Sequence, residues 1–236
     1  MKEAGKNFPP FYKRKGKNMY QNILFDLDGT LTNSELGITN SVAYALEKFS
    51  IQVKDKKELR VFIGPPLKYS FEHFYGFSEK ESLQAVEYYR EYFSKKGLYE
   101  NEVYKGIRET LFSLKQADKK LIVATSKPEK FSIQILKHFG LYDYFDFVAG
   151  ATMDGSRSKK ADVIGYALEK MKIKNLSETI MVGDREHDII GAQKQKIESI
   201  GVLYGFGTRE ELEKAGATFI VKDVCELENL LLLKEA

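Results

Sequence analysis

The sequence predicts an α/β protein, with a doubly wound parallel sheet as its core and an α-helical segment inserted after the first strand. Three observations carry this prediction. Short apolar runs ending in small or acidic polar residues occur at Ile23-Leu24-Phe25, Leu121-Ile122-Val123-Ala124 and Thr179-Ile180-Met181-Val182. From residue 106 onward such runs alternate with helical periodicity, the rhythm of a parallel sheet covered on both faces. Residues 34–103 carry helical patterns and no strand pattern, which makes them an insert.

The elements follow in order. Ile23-Leu24-Phe25 reads as a buried strand. Thr32 and Glu35 have capping-box spacing, and Ile38, Val42, Ala45, Leu46 and Phe49 follow on one helical face. Asp55 with Glu58, and Ser78 with Glu81, mark two more helix starts, the second carrying Leu83, Val86, Tyr89 and Phe93 inward. Gly64-Pro65-Pro66-Leu67 is a turn between them, because neither a helix nor a strand interior tolerates paired prolines. Beyond the insert come a helix to Gln116, the strand at 121–124, a helix opened by Pro128, and a short strand over Phe145-Asp146-Phe147-Val148. A helix from Lys160 to Lys170, the strand at 179–182, a helix from Glu186, strands at 199–203 and 218–221, and a final helix with Leu227, Leu230 and Leu231 complete the chain. The expected division is a core of residues 19–33 and 104–236 and a helical cap of residues 34–103.

Composition narrows the setting. The chain has 236 residues with 43% hydrophobic and 30% charged, ordinary proportions for a globular protein. No apolar stretch reaches the roughly 18 residues of a membrane span, and no secretory signal pattern is present. Cys225 is the single cysteine, so internal disulfides and cysteine zinc sites are excluded; a reducing, cytoplasmic setting fits. The formal charge is +3, but residues 1–18 alone carry +5 through Lys2, Lys6, Lys13, Arg14, Lys15 and Lys17 against Glu3, which leaves −2 for the rest. That segment reads as a mobile basic tail, with a nucleic-acid-binding arm as the less favoured alternative.

The polar strand ends carry the chemistry. In a parallel sheet the carboxyl ends of the strands lie on one edge, where ligands bind. That edge would gather Asp26, Asp28, Asp184 and Asp188 with Thr125 and Ser126. Crowded carboxylates repel, so a cation or a raised pKa must neutralise them. An all-oxygen carboxylate set suits magnesium, which also engages substrate phosphate oxygens. Asp26 can then attack phosphorus, and Asp28 can serve as acid and base two residues on. Thr125 and Ser126 can donate to the transferring phosphoryl oxygens, and Lys159-Lys160 offers an ammonium. Gly29 lets the chain pass close to the bound phosphate. Gly205-Phe206-Gly207 has Glu210 where a dinucleotide fingerprint needs its third glycine, so it reads as a loop near the same edge. His187 is expected to face solvent. The aromatic stripe of Phe71, Phe74, Tyr75, Phe77, Tyr88, Tyr89, Tyr92 and Phe93 reads as cap core, with some rings free to line a pocket.

These residues resemble the haloacid dehalogenase-like hydrolase superfamily, in its branch of phosphoglycolate phosphatase-like proteins with a helical cap. Asp26-Leu27-Asp28-Gly29-Thr30 matches the first motif, Thr125 the second, and Gly183-Asp184-Arg185-Glu186-His187-Asp188 the fourth. The resemblance implies a Rossmann-like core and an aspartyl-phosphate mechanism. Asp26 is then nucleophile and metal ligand, Asp28 acid/base and, through its carbonyl, a metal contact. Thr125, with Ser126, Lys160 and Gly29, binds phosphate, and Asp184 and Asp188 hold and support Mg2+. The third motif departs from the common lysine and Pro-x-Pro form. Here Ser158-Lys159-Lys160-Ala161-Asp162 stands instead, which favours Lys160 and leaves Lys159 open. The implied substrate is a small phosphorylated metabolite, phosphoglycolate first, with nucleoside monophosphates, a phosphosugar mutase reaction and a non-catalytic phospholigand-binding role as alternatives. No nucleic-acid or membrane partner is expected, and a monomer or a homodimer fits equally.

Overall fold

The computed structural model describes residues 20–233, so the tail expected at 1–18 lies outside the described residues. The first strand, β1 (Asn22–Phe25), is buried along its whole length. Its side chains alternate: Ile23 and Phe25 enter one apolar layer and Leu24 the other, as the two-residue period of a strand requires. After β1 the chain turns through Gly29 into a two-residue strand, β2 (Thr32–Asn33).

The insert comes next. It consists of α1 (Glu35–Glu47), a 3-10 turn (Lys56–Phe62), α2 (Leu67–Tyr75), α3 (Glu79–Tyr92) and a π turn (Phe93–Gly97). It ends in β3 (Glu102–Val103), which pairs antiparallel with β2. This small ribbon at the root of the insert is absent from the sequence pattern, because two residues are too few to show alternation.

Local chemistry explains where these helices begin. Ser78 and Glu81 form the expected reciprocal capping box at the start of α3. Asp55 caps as expected by accepting from the Lys57 N–H, but the segment it opens is a 3-10 turn. The Thr32–Glu35 box does not form. Thr32 is held in β2, Ser34 is the N-cap residue, and Asn33 Oδ1 accepts from the Glu35 N–H at 3.2 Å. Leu83, expected inward, is 52% exposed, whereas Val86, Tyr89 and Phe93 are buried.

The remaining elements are α4 (Ile107–Gln116), β4 (Lys120–Pro128), α5 (Glu129–His138), β5 (Phe147–Ala151), α6 (Lys160–Lys170), β6 (Thr179–Gly183), α7 (Glu186–Lys194), β7 (Glu198–Val202), α8 (Arg209–Lys214), β8 (Phe219–Val221) and α9 (Val224–Leu232). The six core strands form one parallel sheet in the order β5-β4-β1-β6-β7-β8. The chain builds outward from β1 to β5, then returns to the other side of β1 and builds outward to β8. The sheet is therefore doubly wound, with its switch point at β1.

Helices α6 and α7 contribute Val163, Ile164, Ala167 and Ala192 to the layer under Leu24. On the opposite face, α4, α5 and α9 share one continuous apolar cluster with the insert, running from Leu227 and Ile135 to Val42, Phe71 and Phe93. No helix among the described residues is long and apolar enough to cross a membrane.

Leu24 is fully buried at the centre of the sheet. Leu24→Ala should cost about 2–5 kcal/mol, read as a lower urea midpoint with an unchanged slope.

Candidate active site

Register alone brings the polar strand ends together. Phe25 aligns with Val123 of β4 on one side and with Val182 of β6 on the other. The residues just beyond these positions therefore meet at one height, and the Asp26 N–H donates to the Val182 carbonyl at 2.9 Å.

Lys160, the first residue of α6, reaches into this edge. Its Nζ lies 2.7 Å from Asp26 Oδ1 and 2.7 Å from Asp188 Oδ1, and donates to the Ala124 carbonyl at 3.1 Å. Lys160 is buried while Lys159 is exposed, so the geometry separates the two lysines that the sequence leaves open. Asp188, at the start of α7, accepts the Arg185 N–H through Oδ2 at 3.1 Å. Asp184 accepts from the Phe206 N–H at 2.8 Å and from Thr30 Oγ1 at 3.4 Å. Thr125 is buried, and its Oγ1 accepts from the Lys127 N–H at 3.2 Å; Ser126 lies beside it, half-buried.

Two backbone segments wrap Asp184. Gly29 has φ +85°, and a Cβ there would overlap the Asp184 carboxylate. Its N–H donates to the Thr32 carbonyl at 2.8 Å. The Gly29 N–H is thus engaged within the turn, and the missing side chain makes room for Asp184. From the other side, Cβ atoms at Gly205 and Gly207 would collide with the Gly29 and Asp184 carbonyl oxygens. The Gly205-Phe206-Gly207 loop thus lies against the carboxylate edge.

The electrostatics follow from burial. Burial pushes the Asp26 carboxyl up to about 6, against the pull of Lys160 and with an added push from Asp188. Burial, then Asp188 and Asp26, raise Asp184 well above the ordinary carboxylate value. Burial disfavours the Lys160 ammonium, but Asp188 and Asp26 outweigh it and hold Lys160 above the ordinary lysine value. His187, expected to face solvent, is half-buried, and that burial lowers its pKa.

Asp26, Asp184 and Asp188 each offer a carboxylate oxygen, with all three atoms within 4.8 Å of one another. One ammonium cannot neutralise three buried carboxylates, and the donor set is all oxygen. The residues present fit a hard divalent cation. The Asp28 carboxylate stands apart from this group: Oδ2 is 2.7 Å from Lys127 Nζ, and Oδ1 is buried without a hydrogen-bond partner among the described residues.

Above the carboxylates lies a cavity of about 800 Å³ between the sheet edge and the insert. Asp26, Asp28 and Thr125 line it on the core side, and Leu67, Tyr69 and Leu83 on the insert side. Leu83 is exposed because it faces this space. Across the cavity, Arg90 of α3 donates to the Met153 carbonyl at 2.9 Å. Behind it, Arg185 donates to the Ile63 carbonyl at 2.6 Å and to Glu211 Oε1 at 2.8 Å, which joins the fourth motif to the insert.

Sequence reading misses the roles of Lys127 and Arg185. Lys127 has a usable signal, since it stands two positions after Thr125, with only Ser126 between them, and so falls on the same side of an extended segment. Arg185 has none, because its partner Ile63 is 122 positions away.

A doubly wound sheet with a buried carboxylate group at the ends of β1 and β6, closed over by helices, is the architecture of this chain, and together with its family and its phosphatase relatives it makes the chain a phosphoric monoester hydrolase. The chain matches the haloacid dehalogenase-like hydrolase family over residues 23–202, and it belongs to that family. The crystal structure of a predicted phosphatase from Clostridium acetobutylicum superposes with a TM-score of 0.89 at 54% identity, covering 91% of this chain and 99% of that one. A 5'-nucleotidase of Pseudomonas aeruginosa is 42% identical over 212 residues, 90% of this chain and 96% of the relative. The tyrosine-protein kinase PtkA of Mycobacterium tuberculosis is 37% identical over 202 residues, 85% of this chain and 68% of the relative.

Metal removal has a predictable pH signature. An unfolded Asp carboxyl loses its proton near 3.8, while folded Asp26 keeps it to about 6. In that window the folded state binds more protons than the unfolded one, so stability without metal falls as pH rises from about 4 to about 6. Asp184 acts in the same direction. A divalent cation that took the place of those protons should therefore raise the melting temperature more at about pH 7.5 than at about pH 5. Scanning calorimetry with and without chelator checks this.

Proposed function

We propose that this protein is a magnesium-dependent phosphatase that cleaves a small phosphate monoester through an aspartyl-phosphate on Asp26. The observation that carries the reading is the position of Asp26, on the floor of a large cavity and held by a buried lysine. Lys160 fixes the attacking carboxylate and places positive charge where the phosphoryl oxygens arrive. Thr125 and Ser126 add donors on the β4 side. Asp28, on the cavity wall, protonates the departing ester oxygen and then takes a proton from the water that hydrolyses the aspartyl-phosphate. Asp26, Asp184 and Asp188 would hold the cation, which when bound offsets the repulsion between Asp26 and a phosphate dianion. The insert acts as a cap that excludes bulk water from the cavity.

The cavity also bears on the substrate. Its volume falls in the roughly 300–1,000 Å³ range of sites for drug-sized ligands, far more than a two-carbon acid phosphate occupies. Leu67, Tyr69 and Leu83 give its insert side apolar contacts, beside charged groups such as Lys68, Lys80 and Arg90. A nucleoside monophosphate fits this description better than phosphoglycolate does, and the 5'-nucleotidase relative supports the same reading.

Release of inorganic phosphate from a panel of nucleoside monophosphates, phosphoglycolate and hexose phosphates tests the proposal. Nucleoside monophosphates should give the highest kcat/KM. Silence across the whole panel with magnesium present overturns the phosphatase reading, and isomerised hexose phosphate without phosphate release points to a mutase. Asp26→Asn should abolish turnover while the protein stays folded by circular dichroism. Asp28→Asn should lower kcat by roughly 10²–10⁴, measured under saturating substrate.

A further inference from the structure

Lys127 sits where three parts of the molecule meet, and the phosphatase mechanism gives its side chain no step. It follows Thr125-Ser126 at the carboxyl end of β4, and its side chain is 5% exposed. Its Nζ lies 2.7 Å from Asp28 Oδ2. The same ammonium lies 4.6 Å from the centre of the Phe93 ring, which belongs to the insert. Phe93 is itself fixed. It stacks on Tyr89 at 5.3 Å and meets Phe131 of α5 edge-on at 5.5 Å. Asp28, Lys127 and Phe93 all line the cavity that holds Asp26.

The electrostatics give this arrangement a direction. A buried ammonium needs its charge compensated, and here a carboxylate compensates one side and an aromatic face the other. Among the described residues Lys127 is the one cation paired with Asp28, whose second carboxylate oxygen is left without a hydrogen bond. The orientation of Asp28 therefore depends on Lys127, and the position of Lys127 depends on a ring carried by the insert.

We infer that Lys127 is a positioning residue that aims the Asp28 carboxylate into the cavity, and that Phe93 couples this aim to the seating of the helical insert. The inference rests on the phosphatase reading and gives the insert a second task beyond enclosing the substrate: it completes the acid/base.

Leaving-group dependence tests the idea. kcat/KM reports every step through loss of the leaving group. An alkyl phosphate needs its ester oxygen protonated as it departs, whereas p-nitrophenyl phosphate does not. Lys127→Met should therefore lower kcat/KM for the alkyl phosphate by about 10- to 100-fold, part of the full acid/base contribution. The loss for p-nitrophenyl phosphate should be much smaller, and KM should change little for either substrate. Lys127→Arg should recover part of the alkyl phosphate rate, and Phe93→Leu, which keeps the apolar packing, should show a weaker loss of the same selectivity. In an Asp28→Asn background, removing Lys127 should cost nothing further, because the two act as one unit.

Equal loss on both substrates, or a full additional loss in the double variant, overturns the inference. A raised KM with unchanged kcat also overturns it, since Lys127 would then bind phosphate directly. If Lys127→Met does not fold, judged by its thermal melt, Lys127→Arg and Phe93→Leu decide the matter by the same selectivity. A wild-type protein that releases phosphate from neither substrate fails the phosphatase reading itself, a separate outcome from any variant result.

Discussion

Three buried carboxylates share one small volume, and their mutual repulsion is the constraint on which the rest of this structure depends. Asp26, Asp184 and Asp188 arrive on different strand ends and a helix start, and the sheet register gives them no freedom to separate. Lys160 answers part of that repulsion by sitting between Asp26 and Asp188. The surrounding backbone answers another part, through N–H donors to Asp184 and Asp188. The remainder is uncompensated charge among buried oxygen donors, an arrangement that fits a hard divalent cation. The chemistry of the site is thus a consequence of how its charges are left unbalanced.

The glycines near the site serve this crowding more than they serve flexibility. Gly29 and Gly205 pack where side chains would fill the space occupied by Asp184. The doubly wound topology makes such packing available. At the switch point beside β1 the two halves of the sheet diverge, so loops from β1 and from the segment after β7 can close on one carboxylate from two directions. The arginine after Asp184 extends the same region outward, tying it to Ile63 of the insert.

Much of this is legible in the sequence, and for identifiable reasons. Strands that end in polar residues announce themselves when the strand is buried, as Ile23-Leu24-Phe25 before Asp26 shows. Helix starts with reciprocal caps are local, and Ser78 with Glu81 is readable for that reason. The misses have equally physical causes. The pairing of β2 with β3 joins Thr32–Asn33 to Glu102–Val103 across the whole insert, and two residues per strand leave no periodic signal. That pairing displaces the helix start expected at Thr32. Leu83 has the helical spacing of a core residue and lines a cavity instead, a distinction that periodicity cannot make. That Gly29 also makes room for the Asp184 carboxylate is invisible in sequence, because the two residues are far apart in the chain. The division of labour between Lys159 and Lys160 needs the direction in which α6 enters the site.

The apolar cluster that runs unbroken from α4, α5 and α9 into the insert has an implication for how such proteins diversify. Phe93 packs on Phe131, and Leu31 and Ile107 belong to the same cluster as Val42 and Phe71. The insert is therefore not a detachable module resting on a finished enzyme; its underside is part of the wall that the sheet needs. Exchange of residues 34–103 with a relative's segment transplants half of an interface along with a pocket lining. Cavity-facing positions of α2 and α3 such as Tyr69 and Leu83, each about half exposed, are free to change more readily, because their side chains carry little of the packing that holds the two halves together.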